Sequence, residues 1–163
     1  MAAPTADLVI TREFDAPREL VFRCWTEPEH FAQWYGPQGF TIPHCTMDVR
    51  VGGTKHFCMR GPKMGDAWFA GEFLEIAPPE RIVMTEFIAD RDGNPVPPAT
   101  YGFNEDWPGK TVITVTLEDL GGRTRMTMRQ ADLPVGPARD GAGWGWNQSF
   151  DKIPAVLEAL GVG

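Results

Sequence analysis

No part of this sequence stays apolar for long. The longest unbroken run is Ala67–Ala70, four residues, which is too short for a membrane-spanning helix. The N-terminus, Met-Ala-Ala-Pro-Thr, lacks the basic start and apolar stretch of an export signal, so the expected setting is cytoplasmic. Basic residues are sparse and scattered. Lys and Arg number 15 against 22 Asp and Glu, a formal charge of −7. A phosphate backbone is gripped by clustered cations, so nucleic acid is not an expected partner. Cysteine is scarce as well. Cys24, Cys45 and Cys58 form an odd set without C-x-x-C spacing, which argues for small apolar residues or free thiols over a redox or metal role. Neither Gly52-Gly53 nor Gly121-Gly122 precedes a helix, so neither reads as a phosphate loop. No metal motif is present, and no cofactor is expected.

What remains is an ordinary globular composition over 163 residues, 42% hydrophobic and 23% charged. That length suits one domain, 1–163, with 1–6 and 161–163 expected as flexible tails. Residues 7–14 read as a first strand with Leu8, Ile10 and Arg12 on one face. Asp15 is a plausible N-cap for a helix with Pro17 in its first turn and a stripe of Leu20, Val21, Cys24 and Trp25. Pro28 opens a second helix carrying Phe31, Trp34 and Tyr35, and Gly36-Pro37 ends it.

From about 40 to 131 the apolar period becomes two, the signature of antiparallel sheet. A two-residue turn at Gly121-Gly122, where both positions tolerate positive φ, pairs Leu117 with Met126 and Val115 with Met128. At Gly52-Gly53 the pattern favours a three-residue loop. It pairs Met47 with Met59 and Val49 with Phe57, and leaves Asp48, Arg50, His56, Cys58 and Arg60 on the other face. Strands near 67–77 and 81–90 flank a tight Ala77-Pro78-Pro79-Glu80 turn. Residues 91–109 have no period and suggest a lid or binding loop. The last helix carries Trp146, Phe150, Ile153, Leu157 and Leu160 on one stripe, with a weak glycine-rich first turn at 141–146 and a kink expected at Pro154. The fold class is therefore α+β, in the order β-α-α, six strands, α, with a curved antiparallel sheet of about seven strands wrapped around a long C-terminal helix.

A single helix against a strongly curved sheet does not easily fill the space between them, so an apolar cavity is expected. Six Trp, ten Phe and seven Met supply large and adaptable walls. The lining residues expected from the pattern are Val21, Phe22, Trp25, Phe57, Met59, Met84, Ile113, Val115, Met126, Met128, Trp146 and Phe150. Two glutamates are candidate general acids or bases. Glu72 lies between Trp68 and Leu74, and Glu86 between Met84 and Ile88; Phe69 and Phe73, or Val83 and Phe87, compete for the same inward faces, so parity stays open. His44 and Cys45 are strand neighbours and point apart, while His56 and Cys58 share the outer face, so neither pair reads as catalytic or metal-binding.

Several stretches resemble one known family. The segment 16–37 (APRELVFRCWTEPEHFAQWYGP) is similar to the N-terminal signature of the activator of heat-shock-protein-90 ATPase homologue-like family. So are Asp48-Val-Arg-Val-Gly-Gly53, Met59-Arg-Gly-Pro62, Pro78-Pro-Glu-Arg-Ile82 and Gly145-Trp-Asn-Gln-Ser-Phe-Asp-Lys-Ile153. The resemblance implies the START-like superfamily and the helix-grip fold of the birch-pollen allergen. Its members bind lipids, sterols, polyketides and plant hormones, and some act as cyclases or hydrolases. A carrier or sensor for a small hydrophobic molecule is thus the favoured expectation. The alternative is an enzyme using Glu72 or Glu86, with Tyr101 or Trp107 on the lid. A chaperone-interaction module is a further alternative, but chaperone activation is not expected, because 163 residues leave no room for the second domain of the eukaryotic co-chaperone. Either a monomer or a homodimer fits the reading.

Overall fold

A computed structural model describes residues 4–162. Seven antiparallel strands form one sheet: β1 (Thr5–Phe14), β2 (Thr41–Met47), β3 (Thr54–Gly61), β4 (Gly65–Ala77), β5 (Arg81–Ala89), β6 (Thr111–Asp119) and β7 (Thr124–Pro134). Their spatial order is β1-β7-β6-β5-β4-β3-β2, so every neighbour except β1 and β7 is also consecutive in the chain. Helices α1 (Arg18–Thr26) and α2 (Pro28–Trp34) lie between β1 and β2, while α3 (Pro137–Phe150) and α4 (Ile153–Val162) follow β7. Of the expected tails, Thr5 and Ala6 are in fact strand residues paired with Pro134 and Leu133, and residue 161 is helical. Residues 1–3 and 163 lie outside the described residues.

The Gly121-Gly122 turn has the expected register, Leu117 opposite Met126 and Val115 opposite Met128, with both glycines at positive φ (82° and 90°). The Gly52-Gly53 hairpin does not. Met47 lies opposite Lys55 instead of Met59, and Cys45 opposite Phe57. The chain at 48–53 leaves β2 early because β4 captures it. Gly52 N–H donates to the Phe73 carbonyl at 2.8 Å, and Phe73 N–H donates to the Gly53 carbonyl at 2.9 Å. The slip is an even number of residues, so the faces survive: Phe57 and Met59 point inward, with His56, Cys58 and Arg60 outward. Lys55 is carried onto the inner face with them.

Two helix expectations also change. Pro17, extended at ψ 150°, occupies the N-cap position of α1 without a side-chain cap bond, while Asp15 stays exposed near Arg123. The C-terminal helix starts at Pro137, so the glycines at 141–145 fall inside α3 and not in its first turn. Pro154 sits in the first turn of α4, and the ladder breaks at Asp151–Lys152 just before it.

Between sheet and helices the interior is closely filled around α1 and α2. Trp25, Trp34, Phe31, Phe57, Phe73 and Phe150 are fully buried. The indole N–H groups are satisfied there: Trp34 donates to the Cys24 carbonyl (2.9 Å), and Trp25 donates to Met126 Sδ (3.3 Å). α3 packs on β1 and β7, towards one end of the sheet.

On the central strands, Gly71 of β4 lies opposite Lys55 of β3, and continuing the β4–β5 register from Ala70–Phe87 brings it beside Glu86. A Cβ at Gly71 would stand 1.9 Å from the Thr85 carbonyl oxygen, so no side chain fits between those strands. Gly71→Ala is expected to cost about 3 kcal/mol, the upper part of the range for forced overpacking. Gly109→Ala, where a Cβ meets nothing within 4 Å, should stay within about 1 kcal/mol of the parent. Urea unfolding midpoints of the two variants check the contrast.

Candidate functional site: a cavity with a polar inner end

The space left between α3, β3–β5 and the segment after α2 is a cavity of about 400 Å³. Its walls are chiefly apolar. Gly36, Pro37 and Phe40 come from the segment after α2, Met59 from β3, Phe69 from β4 and Ile88 from β5, with Ala138, Ala142 and Trp146 facing them from α3. The long connection 91–109 closes part of the rim with Phe103, Asn104 and Trp107. That connection is tied down. Val96 N–H donates to the Ile88 carbonyl (3.0 Å), Tyr101 Oη donates to the Ala89 carbonyl (2.6 Å), and Phe103 packs on Phe69 with ring centroids 5.9 Å apart. Tyr101 thus supports the rim without lining the cavity, whereas Trp107 does line it.

The strand alternation also resolves the two glutamates. Phe69 and Phe73 take the inner face of β4, which turns Glu72 out to solvent and removes it from the site. On β5 the inner face belongs to Met84, Glu86 and Ile88, so the Glu86 carboxylate enters the cavity wall. It is not alone. Tyr35 Oη donates to Glu86 Oε1 (2.8 Å) and Oε2 (3.1 Å), and Lys55 Nζ donates to Oε1 at 3.3 Å. The Lys55 side chain is 2% exposed and that of Glu86 10%, so this ion pair is an interior one. The ammonium lies 5.3, 5.8 and 5.4 Å from the ring centroids of Phe31, Tyr35 and Phe57, which offer it their π faces in place of water. Gly71 permits the reach: the two charged side chains leave strands two positions apart, and the strand between them contributes no side chain.

A chain of three hydrogen bonds completes the inner end. Trp146 Nε1 donates to Gln130 Oε1 (2.8 Å), Gln130 Nε2 donates to Thr111 Oγ1 (3.1 Å), and Thr111 Oγ1 donates to the Glu86 carbonyl (3.3 Å). Burial, followed by the charge of Glu86, raises the Tyr35 phenol well above its ordinary value of 10, so Tyr35 remains a proton donor to the carboxylate.

Of the twelve lining residues expected from sequence, Met59 and Trp146 face the cavity. The other ten do not. Val21, Phe22, Trp25, Phe57, Met84, Ile113, Val115, Met126, Met128 and Phe150 are core residues, packed together where α1 and α2 cover the sheet and α4 packs on those two helices. The shortfall has a simple cause: periodicity marks an inward side chain but not whether another side chain or empty space lies opposite it. Tyr35, Lys55 and Gln130 were not anticipated as site residues. Lys55 carried a readable signal, since it shares alternation parity with Phe57 and Met59 on the inner face of β3.

The cysteines offer no nucleophile. Burial lifts the Cys24 thiol to about 12 and the Cys45 thiol to about 11, and Cys58 is raised by burial as well. His56 and Trp68 stack on the outer face of the sheet with ring centroids 4.9 Å apart, and His44 meets the His56 ring edge-on. Among the described residues one group of potential metal ligands comes together, Glu27, Glu29 and His30 at the α1–α2 junction. Glu27 there is already held by Arg23 through bonds of 2.8 and 3.2 Å, which lower its pKa.

Two measurements follow from the buried pair. Lys55→Met strands the Glu86 charge and is expected to cost about 3–5 kcal/mol in urea unfolding, while Lys55→Met combined with Glu86→Gln recovers most of that loss. A Tyr35 phenol raised in the folded state contributes stability that is fully present below pH 10 and is lost as pH rises from 10 towards the folded value. Tyr35→Phe should therefore flatten the alkaline limb of stability against pH, and an unchanged limb would show that Tyr35 does not cause it.

Comparison with known proteins agrees with this architecture. The family model for activator of Hsp90 ATPase homolog 1-like proteins matches residues 15–158. A protein from Nitrosomonas europaea has a solved structure that superposes with a TM-score of 0.78 at 24% identity, covering 97% of each chain. One from Arthrobacter aurescens gives 0.76 at 28% identity over 94% of this chain and 87% of its own. The AHSA1 protein of Silicibacter pomeroyi gives 0.74 at 22% identity over 94% and 99%. No curated protein matches the chain. With the family model spanning most of its length and the helix-grip architecture in place, the chain belongs to the activator of Hsp90 ATPase homolog 1-like family.

Proposed function

We propose that the protein binds a small, mainly apolar molecule in the cavity between α3 and the central strands, acting as a carrier or sensor. The observation that carries this reading is the cavity itself: about 400 Å³ with predominantly apolar walls, set beside an aromatic core under α1 and α2. Cavities of this size and lining are typical small-molecule sites. Enclosing about 300 Å² of apolar ligand surface gives on the order of 7 kcal/mol. After the cost of association, roughly micromolar affinity remains. Family membership supports the reading, since the helix-grip fold commonly encloses hydrophobic ligands.

One observation favours acid–base catalysis as a second reading. Glu86 lines the cavity, and a carboxylate there can take a proton from a bound molecule and return it. Recovering a chemically altered probe after incubation with the protein distinguishes an enzyme from a carrier.

Titration with lipids, sterols and polyaromatic compounds should change tryptophan fluorescence through Trp146, Trp107 and Trp144, which line the site. Ala142→Phe, which fills the cavity from α3, should weaken that response at least tenfold while leaving the thermal midpoint within a few degrees. A response unaffected by Ala142→Phe would place the bound molecule elsewhere.

A further inference from the structure

The polar groups around the cavity are not balanced between donors and acceptors. At the inner end the Tyr35 proton is committed to Glu86, so Tyr35 Oη offers the cavity only lone pairs. Glu86 Oε1 already accepts from both Tyr35 and Lys55, but Oε2 accepts only the longer 3.1 Å bond from Tyr35. An ionised carboxylate has roughly four acceptor sites, so Oε2 retains unused capacity. Ser149 Oγ spends its proton on the Gly145 carbonyl (2.9 Å) and likewise keeps an acceptor. Against these acceptors stands one uncommitted N–H of Gln130, whose oxygen and other N–H are engaged. The remaining side-chain donors, Asn104, Trp107 and Trp144, lie at the exposed or half-buried rim.

Charge narrows the choice further. Lys55 is buried behind the carboxylate and does not line the cavity, so Glu86 is compensated before any ligand arrives. A cationic ligand would add an unpaired buried charge, and an anionic one would bring like charge against Oε2. A neutral group that donates a hydrogen bond meets neither cost. A ligand with only an acceptor would leave Oε2 with no more than its long Tyr35 bond and displace any water that served it.

We propose that the cavity selects neutral apolar molecules carrying a hydroxyl, a phenol or alcohol, with the O–H donating to Glu86 Oε2 at the inner end. This rests on the cavity reading above and specifies its ligand class. Carboxylate ligands such as fatty acid anions are selected against by the same geometry. Lys55 acts as a positioning residue, engaging Oε1 and leaving Oε2 as the oxygen with unused capacity.

The test compares naphthalene, β-naphthol, its methyl ether and β-naphthoate by calorimetry and tryptophan fluorescence. Wild-type protein should bind β-naphthol about tenfold tighter than the methyl ether, as expected for one hydrogen bond to a charged acceptor, and β-naphthoate more weakly still. In the Lys55→Met, Glu86→Gln double variant, which removes both charges and turns an amide N–H to the cavity, the preference for β-naphthol should fall to within about threefold. Equal binding of β-naphthol and the methyl ether to wild type would overturn the hydroxyl inference and leave the cavity reading standing. So would tightest binding of β-naphthoate, which would mean that Lys55 recognises the ligand. A preference surviving in the folded double variant would assign recognition to another group and overturn the role of Glu86. Absence of binding by all the probes up to their solubility would remove the cavity reading and the inference together. Should the double variant fail to fold, the wild-type comparison decides alone.

Discussion

The structure is organised around a buried ion pair that spans three strands. Lys55 leaves β3 and Glu86 leaves β5, and they meet at 3.3 Å over a β4 glycine that has no side chain to separate them. Taking two charges out of water is costly, and their attraction repays it only where the remaining donors and acceptors are satisfied. Here the surroundings meet that condition. Three aromatic faces line the ammonium, and the Tyr35 phenol donates to the carboxylate. The pair is thus weak evidence for stability, and its effect on the site is to place a polar point in an otherwise greasy interior.

Hollow and solid regions divide the molecule unequally. Where α1 and α2 cover the sheet, indole and phenyl rings interlock, with Trp25 and Trp34 centroids 4.7 Å apart and Phe31 and Tyr35 centroids 4.3 Å apart. Where α3 lies against β1 and β7, small residues face the sheet and leave space beside the central strands. Gly141, Ala142 and Gly145 set that depth, because a helix face of small residues cannot fill a gap the curved sheet leaves open. Glycine within a helix costs stability relative to alanine. The glycines of α3 therefore trade helix strength for room.

Much of the fold was legible from pattern. The α1 and α2 stripes, the change to a period of two, the Gly121-Gly122 register and the interruption near Pro154 all follow from local physics, and all are present. The Gly52-Gly53 register was not legible, because its loop is held by Phe73, a residue some twenty positions further along the chain. The site divided similarly. Parity could show that Glu86 shared a face with Met84 and Ile88, yet the competing pattern of Val83 and Phe87 was equally regular. Only the packed sheet chose between them.

By itself the sequence determined the order of elements, the single layer of antiparallel strands and the sidedness of most residues, since these depend on spacing along the chain. Tertiary structure decided which inward residues touch one another and which face a void. That distinction depends on how far a helix stands from a curved sheet, a distance set jointly by side chains remote in sequence. It is why ten aromatic, aliphatic and methionine side chains expected in the cavity wall instead build solid core, while Tyr35, Glu86 and Gln130 form its polar end with Lys55 buried behind the carboxylate.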